Sequence, residues 1–123
     1  MKPQRLTEDL ENAIGDGLRV VATGDLDEAT YDLYHIRDDL TEVYTEEIAD
    51  QFFDDALSER YFGIGGPYTD AVGEQDHTIR FFEACISVIW WLPGRAVFVE
   101  FERDEQDRLP DALDVIEDVI AEG

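Results

Sequence analysis

The stretch "FFEACISVIWWLPGRAVFVEFE", residues 81 to 102, decides the fold. It is the most apolar run of an acidic chain and holds both tryptophans and Cys85, the one cysteine. The Pro93–Gly94 pair in "LPGR" (92–95) has the residues a tight turn favours, so the run divides into two arms. In the second arm, "AVFVEFE" (96–102), Val97, Val99 and Phe101 share one face while Glu100 and Glu102 take the other, which is the alternation of a strand with one buried side. The first arm, from His77 to about Trp91, is strand-like but does not alternate cleanly. Ile79 and Phe81 fall on one face, and Phe82, Ala84, Ile86, Val88 and Trp90 on the other. Such a break predicts either a bulge near Phe81–Phe82 or a central strand buried on both sides.

Working outward, "LRVVAT" (18–23) and "TYDLYHIR" (30–37) are rich in β-branched and aromatic residues and flank the turn-prone "GDLDEA", which predicts a first hairpin. Leu6, Leu10, Ala13 and Ile14 recur at helical spacing before Gly15 and Gly17, predicting a short amphipathic helix. A longer helix is expected over 38–60, with Asp39 and Glu42 at capping-box spacing and Leu40, Val43, Tyr44, Ile48, Phe52 and Leu57 as its inward stripe. Four glycines and a proline make 61–76 a loop. A last helix over 109–123 starts with Pro110 at its first position and turns Leu113, Ile116 and Ile120 inward. The expected fold class is α+β in the order α-β-β-α-β-β-α: a four-stranded antiparallel sheet with amphipathic helices packed on it, forming a single domain over 1–123.

Composition bounds the function. With 31 acidic against 9 basic residues the formal net charge is −22, several times the magnitude of about 2–8 that keeps a small domain soluble. Lys2 is the one lysine, and the acids are spread along the chain instead of forming a tail. This pattern suits a salt-rich cytoplasm, where charges are screened over about 3 Å at molar ionic strength. Pairs such as Asp38–Asp39, Glu46–Glu47 and Asp54–Asp55 are then read as solvated surface. No basic stripe supports direct nucleic-acid binding. His35 and His77 lack metal-ligand spacing, and "GDLDEAT" (24–30) lacks the spacing of a calcium loop, so no metal site is expected. No cofactor and no catalytic residue are called for. The start of the chain has no apolar segment of a secretory signal, and no apolar run is long enough to span a bilayer, so a cytoplasmic location without membrane contact is expected.

Two classes of function fit. In the first, the chain is a non-catalytic interaction or regulatory module, a homodimer or the binder of another protein. Its candidate interface is Trp90, Trp91 and Phe98. The consecutive tryptophans must point to opposite faces of a strand, so one has to be covered by a helix or stay available to a partner. In the second, a small-molecule or anion pocket lies under the glycine-rich loop 61–76, lined by Tyr61, Gly65, Gly66, Tyr68, His77 and Arg80, with Arg80 as the anion clamp. The stretch "GIGG" is not a GxGxxG phosphate fingerprint, and Arg80 has many acids to pair with.

The runs "LRVVATGDLDEATYDLYHIRDDL" (18–40) and "HTIRFFEACISVIWWLPGRAVFVEFE" (77–102) resemble a family of small uncharacterised haloarchaeal proteins of about this length. Tyr31, Tyr34 and Ile36–Asp39 match its tyrosine-bearing strand and "IRDD", and Thr78, Ile79, Arg80 and Phe82 its "TIRxF". The resemblance implies a salt-in cytoplasm and no known activity. In element order alone the chain is also similar to roadblock/LC7-type domains, which imply five strands, dimers and a role as platforms for small GTPases or motor complexes.

Overall fold

The computed structural model describes residues 1–63 and 65–122. Five strands form one antiparallel sheet: β1 (Leu18–Asp25), β2 (Thr30–Ile36), β3 (His77–Phe81), β4 (Cys85–Leu92) and β5 (Arg95–Glu102), in the spatial order β2-β1-β5-β4-β3. The helices are α1 (Pro3–Ile14), α2 (Glu46–Phe62), α3 (Pro67–Val72) and α4 (Leu109–Ala121). The α+β class stands, but the sheet has five strands where four were expected.

The difference arises in the opening stretch. The arm 77–91 is two strands, because the chain reverses at Phe82–Cys85, where the Phe82 N–H donates to the Cys85 carbonyl at 2.8 Å and Phe81 pairs with Ile86. This turn contains no Gly, Pro, Asn or Asp. Its turn chemistry is therefore silent, and its only trace in the sequence is the broken alternation at Phe81–Phe82.

A bulge does exist, in β1. The register against β5 slips between Leu18 and Val20, and that against β2 between Val21 and Ala22. Leu18 and Val21 consequently face the same core at a spacing of three, with Arg19 and Val20 between them. An inserted residue re-aims a side chain, and here the one re-aimed is an arginine.

The two faces of the sheet are covered differently. On one, α1 and α4 lay Leu6, Leu10, Ile116 and Val119 over Val21, Val88, Trp90, Val97, Val99 and Phe101. On the other, α2 alone sets Phe53 and Ala56 against Ala22, Ile89, Trp91, Ala96 and Phe98. Phe53 and Phe52 both meet Phe98 edge to face, at 5.9 and 5.6 Å between ring centres. Close approach here requires Gly24, since a Cβ would lie 2.8 Å from Phe53 and 2.9 Å from Phe98.

The helix over 38–60 is later and shorter at its start than its pattern suggested. Asp38–Leu40 is a single 3₁₀ turn, and α2 begins after Thr45, whose hydroxyl accepts from the Ile48 N–H. Asp39 cannot cap because Arg37 takes both of its oxygens, at 2.6 and 3.0 Å. The fully buried residues of α2 are accordingly Phe53 and Ala56; of the expected stripe Leu40 is buried, Phe52 and Leu57 pack half-buried against the same core, and Val43 and Ile48 are exposed. Part of the expected loop 61–76 is helical, with Pro67 opening α3. In α1 Leu6, Leu10 and Ile14 are buried as the periodicity indicated, whereas in α4 the buried residues are Ala112, Ile116 and Val119, so that of the expected Leu113, Ile116 and Ile120 only Ile116 is fully inward and the other two are half-buried at the edge of the same core.

Candidate interaction surface and the groove beside it

Alternation along β4 and β5 gives the α2 side of the sheet a gradient. From the β4–β5 turn it runs through Trp91, Ala96, Ile89 and Phe98, then Ser87 and Glu100, and ends at Cys85 and Glu102. The helix covers the apolar part. The polar part is closed by the 37–45 segment and by Arg19, delivered there by the bulge. Arg19 donates from Nε to Glu100 at 2.7 Å, from Nη1 to Glu102 at 3.1 Å and from Nη2 to the Tyr44 hydroxyl at 2.8 Å. The Tyr44 hydroxyl donates to the same Oε1 of Glu100, and Arg37 reaches Glu102 at 2.6 Å.

The network carries three carboxylates, Asp39, Glu100 and Glu102, against two guanidinium groups. Its titrations reflect both burial and that imbalance. Burial, then the hydrogen bond to Glu100, pushes the Tyr44 hydroxyl up to about 12. Burial, then the Glu100 charge, pushes the Cys85 thiol up to about 11, which leaves it an unreactive thiol at neutral pH. For Glu102 burial opposes ionisation, but hydrogen bonds and attraction from Arg37 and Arg19 outweigh it and hold the carboxyl below its usual range.

Between the network, β2 and the first half of α2 lies a groove of about 290 Å³. Its floor is Val20, Ala22 and Phe98, its walls include Ala49, Phe52 and Phe53, and Ser87, Tyr44 and Glu100 stand at its polar end. Leu33, Ile48 and Phe82, each about half exposed, come from three different elements to form its mouth. None of these three was singled out as a site residue, because each belongs to a different segment and their meeting is tertiary. A readable signal did exist for the network: an arginine inside the apolar run "LRVVAT" needs acids, and Glu100 and Glu102 share one face of "AVFVEFE".

Trp90 is buried on the α1/α4 side, stacked on His77 with ring centres 4.5 Å apart, and Trp91 and Phe98 are buried on the α2 side; all three are under 10% exposed. The Arg60 guanidinium covers the Trp91 ring at 5.4 Å. Arg80 pairs with Glu59 of α2 at 3.3 Å, and the exposed Tyr61 donates its hydroxyl to the Leu26 carbonyl. Tyr68, Gly65 and Gly66 are exposed. Ile64, the centre of "GIGG", lies outside the described residues. A polar cavity of about 270 Å³ does sit near this segment, but it is lined by Glu59, Arg60, Gly63, Glu74, Gln75 and Trp91, so the six nominated pocket residues do not converge on it.

Beyond these cavities, the C-terminal end of α2 and the α3 that follows leave Tyr61, Phe62, Tyr68 and Val72 in solvent, with Phe62 87% exposed. Among the described residues no helix is long and apolar enough to cross a membrane, and no cluster of three or more His, Cys, Asp or Glu residues could hold a metal ion.

Five antiparallel strands in this order carry helices on both faces, and in this the chain is similar to proteins of roadblock/LC7 type. The solved structure of Myxococcus xanthus MglB, a protein of that type, matches with a TM-score of 0.50 over 97% of this chain and 91% of that one, at 14% identity. At such identity the likeness is one of fold. The chain belongs to the family described as a domain of unknown function, DUF7522, whose model matches residues 4–121. No curated protein matches.

Proposed function

We propose that this chain is a non-catalytic interaction module that self-associates and works in a salt-rich cytoplasm. The observation that carries the reading is the exposed aromatic group at the end of α2 and on α3, headed by Phe62. High salt strengthens hydrophobic association, so an 87% exposed phenylalanine on a chain of net charge −22 is a liability unless something covers it. Single exposed apolar residues are ordinary; here Tyr61, Phe62, Tyr68 and Val72 are all exposed within one short stretch of the chain. The roadblock-type fold supports the same reading, since that resemblance implies dimers that serve as platforms for other proteins. Trp91 and Phe98 contribute from beneath, as the bed on which α2 rests.

The test is sedimentation in 2–3 M KCl of the wild-type chain against Phe62→Ser and Tyr68→Ser. A dimer that dissociates in the variants, with unchanged circular dichroism, is the expected result. A chain that stays monomeric at every concentration overturns the reading. The alternative, a ligand sensor with its pocket near 61–76, has the polar cavity beside Arg60 and Trp91 in its favour. It predicts a thermal shift with phosphate or small organic acids.

A further inference from the structure

The groove between α2 and β2 is separate from the exposed aromatic group and has a chemistry of its own. Its walls are apolar and largely aromatic, and its mouth is ringed by Leu33, Ile48 and Phe82. A volume of about 290 Å³ is at the small end of ligand sites, room for on the order of ten non-hydrogen atoms. That is too small for a folded partner and right for one side-chain-sized molecule.

The polar end selects the head group. Glu100 lines the polar end of the groove, where Arg19 Nε and the Tyr44 hydroxyl both donate to its Oε1. Arg19 is itself shared with Glu102, and Arg37 with Asp39 and Glu102, so three carboxylates answer two cations. One further positive charge completes the balance. An anionic head would meet this surplus on top of the chain's −22, and a neutral head would leave it standing.

We propose that the groove binds a small apolar amine, an arylalkylammonium or similar monocation, with its hydrocarbon body among Phe52, Phe82 and Phe98 and its ammonium group on Glu100. The network then has two roles. It closes the sheet's open end, and it presents one acceptor to the groove.

Three probes share a body and differ in the head: 2-phenylethylammonium, 2-phenylethanol and 3-phenylpropionate. Each is titrated into isotope-labelled full chain at constant KCl, following the amide signals of Leu33, Ala49 and Ser87. The ammonium probe is expected to bind about tenfold or more tighter than the carboxylate, with the alcohol between, because a hydrogen bond to a charged partner in a half-buried site is worth at least one factor of ten. Glu100→Gln should bring the three within about twofold of each other. Ala49→Phe, which fills the groove from α2, should abolish binding of all three. If Glu100→Gln does not fold, the wild-type series still decides. The proposal is overturned if the carboxylate binds as tightly as the ammonium, or if no probe moves these signals. It is equally overturned if raising the protein concentration alone moves them and the amine adds nothing, which would assign the groove to a second copy of the chain.

Discussion

The two faces of the sheet are built from the same five strands and behave as different materials. Under α1 and α4, β4 and β5 present apolar side chains along their whole length: Ile86, Val88 and Trp90 beside Val97, Val99 and Phe101. Under α2 the intervening residues of the same strands change from Trp91, Ile89, Ala96 and Phe98 to Ser87, Glu100 and Glu102. Two helices seal the first face and one helix covers part of the second. Burial is concentrated on one side of the sheet, and the other side carries a groove, a charged network and an exposed helix end.

The largest effect should come from the sealed face. Phe101 is fully buried, and Phe101→Ala should cost about 3–5 kcal/mol, the range for deleting a buried aromatic. That is a large part of the ~5–15 kcal/mol that holds a domain together. Urea melts at fixed KCl measure it. A loss below about 1 kcal/mol would mean that this face is not the main source of stability.

Next comes Arg19. Arg19→Met keeps the apolar stem but leaves Glu100 with Tyr44 as its hydrogen-bond partner, and removing one member of a largely buried pair costs on the order of 3 kcal/mol. The same substitution made together with Glu100→Gln should cost less than the sum of the two, by about 1–3 kcal/mol. Simple additivity in this cycle would show that the network is not coupled and that the polar end of the α2 side is ordinary surface. Gly24→Ala follows at about 1–3 kcal/mol, since its methyl would press on Phe53 and Phe98. A neutral result by thermal melting would mean that α2 can lift away from β1 and that its grip on the sheet is looser than that of α1 and α4.

What the sequence disclosed differs between the faces for the same reason. The sealed face is regular, and the periods of two and 3.6 report it directly: Val97, Val99 and Phe101 in β5, Leu6 and Leu10 in α1 and Ile116 in α4 were all legible as inward positions. The α2 face depends on events without a local signature. The reversal at Phe82–Cys85 lacks turn residues, the bulge at Arg19–Val20 shifts the side-chain register within an ordinary-looking strand, and Thr45 caps α2 because Arg37 has already engaged Asp39. The groove lies where these three features meet. Its mouth residues could not be grouped from spacing, because Leu33, Ile48 and Phe82 share neither an element nor a period.

The smallest effect tests whether charge pairing on the α2 side contributes to folding at all. Asp39 sits below its ordinary carboxyl range through its hydrogen bonds to Arg37, and Glu102 does so because Arg37 and Arg19 outweigh the burial that opposes its ionisation. Carboxyls depressed in the folded chain add stability that is fully present above their unfolded values, 4.5 for Glu and 3.8 for Asp, and that is lost as pH falls through the lower folded values. Global repulsion works in the opposite direction, since protonating a chain of −22 relieves it. The quantity to compare is therefore the difference between wild type and Arg37→Gln, followed by thermal melts from pH 7 to pH 3 at constant KCl. The gap should be widest at pH 5–7 and close below about pH 4. A gap that stays constant with pH would mean that Arg37 acts through its hydrogen bond to the Asp16 carbonyl and its packing, in which case the carboxylates contribute nothing to stability through this arginine and the surplus charge is held by Arg19 alone.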